Sequence, residues 1–271
     1  MRGTSSPNFP ERVSAKCDAS ASQSRGPVVT TPVAIVTGAA QGIGRSIATR
    51  LISDGYSVVL LDISGAVCDI AAAGAKIVDV RDIEGLQKSI RGVGDDFGRL
   101  DVLVNCAGTC GRESFENLSV DTWHRDIDTN LTATAFACQA AVFPHMKTAG
   151  YGRLVNIASV SGKVGGVGPV DADGSGGRSG AAYASAKAGT INLSRWIARQ
   201  VGSWGITCNV VAPGPIASPM AAGAEYGVEN IPIPRMGRPE EVAAAVSYLV
   251  SEGSDYVTGV TMHVDGGMVP A

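Results

Sequence analysis

The strongest constraint on the fold is an alternation that begins at Pro32. Short apolar runs (Val33–Thr37, Ser57–Asp62, Lys76–Val80, Leu100–Asn105, Arg153–Ser159, Thr207–Ala212 and Val260–Val264) alternate with longer stretches of helical periodicity. The runs carry no regular apolar–polar alternation, so they read as strands buried on both faces. Strands of that kind joined through helices make a parallel sheet covered on either side. Seven of them predict one α/β domain over residues 31–271, a doubly wound seven-stranded parallel sheet flanked by helices. Residues 1–30 differ. They are rich in serine and proline, lack a hydrophobic period, and read as a flexible or oligomer-contacting tail. They have no apolar core of a secretory signal, and Glu11 and Asp18 weaken a faint likeness to an organelle transit peptide.

Composition narrows the function. With 45% hydrophobic and 17% charged residues the chain can bury a sizeable core, which excludes a disordered protein. Its 22 basic and 25 acidic residues leave a net charge of −3, without a basic stripe, so nucleic acid is not an expected partner. No apolar run approaches the ~20 residues of a membrane helix, so no membrane partner is expected. Six cysteines without a CxxC pair predict free thiols in a reducing, cytoplasmic setting. Cys106 and Cys110 have a metal-like spacing, but no histidine or second pair supports a metal site. The 35 glycines are nearly twice the usual ~7% and follow no triplet repeat, which assigns them to turns and close backbone approaches.

The first run leads into Thr37-Gly38-Ala39-Ala40-Gln41-Gly42-Ile43-Gly44 and then a helical pattern. Glycines there permit a tight turn and bring backbone close to a pyrophosphate, which rests on the helix N-terminus. The next run ends at Asp62, where a carboxylate can accept both ribose hydroxyls of NAD and repel the 2′-phosphate of NADP. Gln41 is neutral where a basic residue could meet that phosphate. The plainer reading of Asp62 is a loop cap. The cofactor expected is NAD(H).

Farther on, Tyr183-Ala184-Ser185-Ala186-Lys187 opens a long helical stretch, Ala181 to about Val201. Residues four apart share a helix face, so the phenol and ammonium project together. A neighbouring cation is expected to lower the tyrosine towards working pH, as a general acid/base requires. Upstream, Ser159 ends a buried run at the strand edge where open α/β sheets bind ligands.

With these pieces in place, the chain resembles the short-chain dehydrogenase/reductase family over residues 32–269. The matching pieces are TGAAQGIG (37–44), NCAG (105–108), Asn130 in TNLTA, Ser159 in NIASVSG, YASAK (183–187), PGPIASPM (213–220) and the closing TGVTMHVDGG (258–267). The resemblance implies a Rossmann fold and a catalytic set of Asn130, Ser159, Tyr183 and Lys187. Tyr183 exchanges the proton with the carbonyl oxygen, and Ser159 hydrogen-bonds that oxygen. Lys187 binds the nicotinamide ribose and tunes Tyr183, and Asn130 holds a proton-relaying water. It implies cofactor contacts from Gly38, Gln41, Gly42, Ile43 and Gly44 at the turn, and from Asp62 and Ile63 at the adenosine ribose. Asp79 and Val80 would contact adenine. Asn105, Ala107 and Gly108 fall where the family braces the sheet and lines the ribose. Pro213, Gly214, Ile216 and Ser218 would meet the carboxamide and pyrophosphate, with Ser218 standing where the family usually has threonine. The family's usual homotetramer, through helices holding Asn130–Met146 and Tyr183–Val201, is implied as well.

Two regions depart from the family. The segment between Ser159 and Tyr183 is about twice as long as usual because of a glycine-rich insertion, 162–180. It is either a wall of the substrate cavity or a solvated or oligomer-contacting excursion; doubling a loop costs only about 0.6 kcal/mol. The substrate lid, 219–234, is short and carries Glu225 and Glu229. The expected pocket neighbours are Thr109, Cys110, Ser161, Val164, Ala217 and Met220, with positive charge only from Lys163 or Arg112. This set favours a neutral, partly hydrophobic small molecule, making the chain an NAD-dependent secondary-alcohol dehydrogenase or ketone reductase. The alternative is a 3-oxoacyl-(acyl carrier protein) reductase, which would want a basic docking face and usually NADPH. More remote is an NAD-binding sensor without catalysis.

Overall fold

The computed structural model describes residues 30–168, 179–224 and 226–269. The expected tail therefore lies outside the described residues except for its last position, as do the middle of the glycine-rich insertion and Glu225.

Seven parallel strands form one sheet: β1 (Val33–Thr37), β2 (Ser57–Asp62), β3 (Gly74–Ile77), β4 (Val102–Asn105), β5 (Gly152–Ile157), β6 (Ile206–Pro213) and β7 (Thr261–Val264). Their order is β3-β2-β1-β4-β5-β6-β7, the expected doubly wound arrangement. The longer helices are α1 (Gly42–Ser53), α2 (Ile83–Phe97), α3 (Val120–Ile127), α4 (Ala133–Ala141), α5 (Ala181–Val201) and α6 (Pro239–Val250).

Two-sided burial explains the unbroken apolar runs. Along β1, Val33 and Ile35 join a core with Leu86 and Ile90 of α2, Ala137 of α4 and Ile197 of α5. Ala34 and Val36 face the other way, against Ile47 and Leu51 of α1 and Val242 and Val246 of α6. Removing such a side chain from water contributes roughly 1.5–3 kcal/mol. At the lower edge the buried Asp101 carboxylate accepts the Val33 N–H at 2.7 Å and pairs with Arg99, which fixes the start of β1 beside β4.

One strand lies elsewhere than its apolar run suggested. The run Lys76–Val80 reads as a strand, yet β3 covers Gly74–Ile77. It is an edge strand that, among the described residues, pairs with β2 alone, in a register from Val59 opposite Gly74 to Asp62 opposite Ile77. Once β2 ends, its last carbonyl takes the Val78 N–H at 2.8 Å and pairing stops. Val78 and Val80 stay buried, but as part of the connection at the upper edge of the sheet.

The long helical stretch through Asn130 is also less regular than its periodicity implies. Between α3 and α4 the chain makes a π-helical turn, Asp128–Thr132. Such turns free backbone groups from the usual ladder, and here the Asn130 carbonyl accepts the hydroxyls of Thr134 and Thr190. No helix among the described residues is long and apolar enough to cross a membrane.

Candidate active site

Where the strand order reverses, between β1 and β4, the upper edge of the sheet opens into a cleft of about 410 Å3. Its floor is the glycine-rich turn after β1. Gly38 has φ +67°, and a Cβ there would come within 2.7 Å of the Ala107 backbone, so the turn can press against the end of β4 only as glycine. The first turn of α1 follows, with no side chain capping its N-terminus, so its backbone N–H groups face the cleft. These features fit a dinucleotide's pyrophosphate.

Asp62 stands at the end of β2, on the wall of the cleft. Its carboxylate accepts the Ala40 N–H at 2.9 Å and the Ser64 N–H at 2.8 Å. It therefore ties the glycine-rich turn to the next loop, as a loop cap does, while standing on the wall of the cleft where the expected ribose acceptor would stand. Ile63, Asp79 and Val80 line the same end. Beside them is Arg81, which sequence reasoning missed; its guanidinium grips Asp79 at 2.7 Å and holds that carboxyl below its usual range.

Of the candidate residues, Gly38, Gln41, Gly42, Ile43, Gly44, Ala107, Gly108, Pro213, Gly214, Ile216, Ser218, Ser159, Tyr183 and Lys187 all line the cleft. Asn105 and Asn130 do not. The Asn105 amide turns into the core and donates to Asn156 at 2.8 Å, bracing β4 against β5. Asn130 sits behind the wall.

The chemical end is built by β5, α5 and the π turn. The Ser159 oxygen accepts the Ser161 N–H at 3.1 Å, which leaves its hydroxyl hydrogen for another partner. Lys187 is buried, with its Nζ donating to the Ile157 carbonyl at 2.8 Å and lying 5.6 Å from the centre of the Tyr183 ring. Burial lowers this ammonium to about 8, against the partly opposing influence of Cys106, Cys110 and Asp126. The Asn130 amide donates to the carbonyls of Thr109 and Asp126, at 2.9 and 2.8 Å, while its Oδ1 is buried without a partner among the described residues. A Cβ on Gly108 would lie 2.8 Å from that oxygen and 3.7 Å from Lys187 Nζ. The missing side chain thus leaves a space flanked by an unpaired acceptor and an ammonium, which suits a bridging water.

The expected lowering of Tyr183 is not found. Burial dominates and pushes the phenol above its ordinary range, Cys110 adds to this, and the Ser159 hydrogen bond and the Arg112 guanidinium work against it. Helical spacing puts Lys187 near the Tyr183 ring, but the loss of water around the phenol outweighs the influences that favour its charged form.

The substrate end also differs from expectation. Thr109, Cys110, Ser161, Met220 and Arg112 line it, whereas Val164, Ala217 and Lys163 do not. Tyr226, Val167, Ser179 and Arg125 complete the wall. The Tyr226 hydroxyl lies 2.8 Å from Arg112, joining the lid segment to the opposite side. The described ends of the insertion are pinned together. Val167 and Ser179 exchange hydrogen bonds, and the Ser179 hydroxyl meets that of Ser161 at 2.8 Å. Cys106, Cys110, Cys138 and Cys208 are free thiols.

A sheet of this order, a glycine-rich turn and a Ser/Tyr/Lys cluster at its upper edge define a nucleotide-dependent oxidoreductase. A family model described as enoyl-(acyl carrier protein) reductase matches residues 38–269. The chain belongs to the short-chain dehydrogenase/reductase family. It is 35% identical, over 87% of its length and 96% of the relative's, to a 3-oxoacyl-(acyl carrier protein) reductase of Vibrio harveyi. It is 36% identical to the (3R)-3-hydroxyacyl-CoA dehydrogenase of Mus musculus, over 87% and 95% of the two chains. A ligand-free aldohexose dehydrogenase of Thermoplasma acidophilum superposes with a TM-score of 0.76 at 30% identity, covering 89% of this chain and 96% of that one.

The depressed Lys187 gives a stability prediction. Its value falls from 10.5 unfolded to about 8 folded, so between those limits the native state binds fewer protons and stability rises with pH. Relative to Lys187→Met, the wild type should gain about 1.4 kcal/mol per pH unit between those limits. Denaturant unfolding of both proteins at several pH values checks this; a constant difference would place the ammonium in a well-solvated site.

Proposed function

We propose that this protein interconverts a 3-oxoacyl thioester and its 3-hydroxyacyl counterpart, using NAD(H) in preference to NADP(H). The observation that carries the reading is the convergence of Ser159, Tyr183 and Lys187 on one end of the cleft, in a chain whose relatives include oxoacyl reductases and hydroxyacyl-CoA dehydrogenases. Those relatives favour the thioester over the neutral ketone that the sequence suggested. The cleft supports the same choice, since Arg112 and Arg125 both line it and suit the anionic carrier of an acyl thioester better than a neutral substrate. Asp62 supports NAD(H), because its carboxylate would repel a 2′-phosphate.

In this reading the nicotinamide supplies the hydride to the carbonyl carbon. Tyr183 gives its proton to the carbonyl oxygen, for which a raised pKa suits an acid at neutral pH. Ser159, whose hydroxyl meets Tyr183 and accepts the Ser161 N–H, turns its hydrogen to the same oxygen and orients it. Lys187 and the Asn130 oxygen flank the water-sized space through which the tyrosine is reprotonated. Gly38, Gln41, Gly42, Ile43, Gly44, Ile216 and Ser218 hold the pyrophosphate and carboxamide side. Asp62, Ile63, Asp79 and Val80 hold the adenosine. Exposed Trp123, Phe136 and Trp196 on α3, α4 and α5 supply apolar surface for assembly into a homotetramer.

Acetoacetyl-CoA and its short N-acetylcysteamine thioester should be reduced with NADH at a kcat/KM at least roughly ten times that of neutral ketones and of the same reaction with NADPH. Followed by loss of the NADH absorbance, faster turnover of neutral ketones would restore the alcohol-dehydrogenase reading, and an NADPH preference would remove Asp62 as the discriminator. Tyr183→Phe should lower kcat by about 10²-fold or more while leaving NADH binding, read by fluorescence, near the wild-type level; substantial residual turnover would take the proton-transfer role from Tyr183. Light scattering should report four chains per particle, and a monomer would end the tetramer proposal.

A further inference from the structure

Asp126 lies on α3, one turn before Asn130, and is fully buried without lining the cleft. Both carboxylate oxygens are occupied. Oδ1 accepts the Thr109 hydroxyl at 2.8 Å and Arg125 Nη2 at 3.1 Å, and Oδ2 accepts the Gly111 N–H at 2.7 Å. A buried charge is tolerated only when paired and hydrogen-bonded, and here two of the three partners belong to a single loop, Thr109–Gly111, on the wall beside Tyr183.

That loop passes the constraint on in two directions. The Thr109 carbonyl accepts one N–H of the Asn130 amide, and the Asp126 carbonyl accepts the other. With both amide hydrogens taken, Asn130 Oδ1 is left beside the space over Gly108 that Lys187 Nζ also borders. The Gly111 carbonyl accepts the Gly180 N–H at 2.7 Å, and the Gly180 carbonyl accepts the Ala184 N–H at 3.0 Å in the turn that carries Tyr183. Gly180 has no side chain to satisfy that helix end, so Gly111 is its external tether.

We propose that Asp126 is a positioning residue for the reaction: by fixing the Thr109–Gly111 loop it sets the orientation of Asn130 and the start of the Tyr183 helix. The proposal rests on the oxidoreductase reading of the same site. An electrostatic consequence accompanies it. The charged and titratable groups acting on Lys187 are Cys106 and Cys110 from the β4 side and Asp126 from α3, and the carboxylate favours the protonated ammonium. Arg125 pairs with Asp126 from its half-exposed side. Cys110, Tyr226, Arg112 and Ser159 act on Tyr183.

Asp126→Asn keeps the shape and removes the charge, while Thr109→Val removes one tether and keeps the charge. In the cofactor-free protein, NMR titration of 13Cε-labelled lysine should place the Lys187 midpoint at lower pH in Asp126→Asn than in wild type, and leave it unmoved in Thr109→Val. In the loaded enzyme both variants should lose kcat on the order of ten-fold with the KM for NADH unchanged. In Asp126→Asn the alkaline limb of the reduction profile should move to lower pH. A folded Asp126→Asn with wild-type kcat, or with an unmoved Lys187 midpoint, overturns the proposal. If Asp126→Asn does not fold, Thr109→Val decides: a kcat loss supports the proposal and wild-type kcat overturns it. Failure of the wild type to reduce oxoacyl thioesters would end the substrate reading, while the lysine titration would still decide the role of Asp126.

Discussion

In β1, β4 and β5 every residue is buried, and successive side chains enter opposite cores. Parallel pairing inside such a sheet has a geometric consequence: all the strands end on the same side. The glycine-rich turn after β1, Asp62 at the end of β2, Gly108 beyond β4, Ser159 beyond β5 and Gly214 beyond β6 are therefore delivered to one edge. The reversal of strand order between β1 and β4 parts the connections there and makes the cleft. Core burial and site assembly are one event, because apolar contacts that hold the strands in register also set the spacing of the polar groups at their tips.

The site keeps its charges where water is scarce. Burial brings Lys187 down to about 8 and raises Tyr183, so neither group has the value its type would show in solution. Each buried ion is met by specific partners: the Ile157 carbonyl for Lys187, and Thr109, Gly111 and Arg125 for Asp126. An unsatisfied charge of this kind costs several kcal/mol, so these partners restrict the loop and helix ends to a single arrangement. The Asn130 Oδ1, by contrast, is buried near Lys187 with no hydrogen-bond partner among the described residues.

Much of this was legible in the chain because it is local. The turn at residues 37–44 depends on glycine at fixed offsets after a strand, and the Tyr183–Lys187 pair depends on helical spacing; both can be read without knowing what packs nearby. Asp62 was legible as the end of a run, although not its hydrogen bond back to Ala40, which joins residues far apart in sequence. The limits of β3 were not legible, because an edge strand stops where its only sheet neighbour stops. Arg81, Tyr226, Arg125 and Asp126 carried no signal of their own: each is an ordinary polar residue whose role comes from what it faces. The Tyr183 shift went the other way from expectation for the same reason, since spacing reports a neighbour but not the loss of water around it.

By itself the sequence determined the fold class, the family, and which residues form the glycine-rich turn and the Ser/Tyr/Lys cluster at one end of the sheet. These rest on periodicity and short-range backbone geometry, which the chain carries in its own order. Tertiary structure alone decided that Asn105 turns inward, that Arg112 and Tyr226 meet across the cleft, and that the glycine-rich insertion is clasped at its base by Ser161, Val167 and Ser179. It also decided how far burial moves Lys187 and Tyr183. Each of those outcomes depends on distances between groups remote along the chain and on the exclusion of water between them, and neither quantity exists until the sheet and its helices have packed.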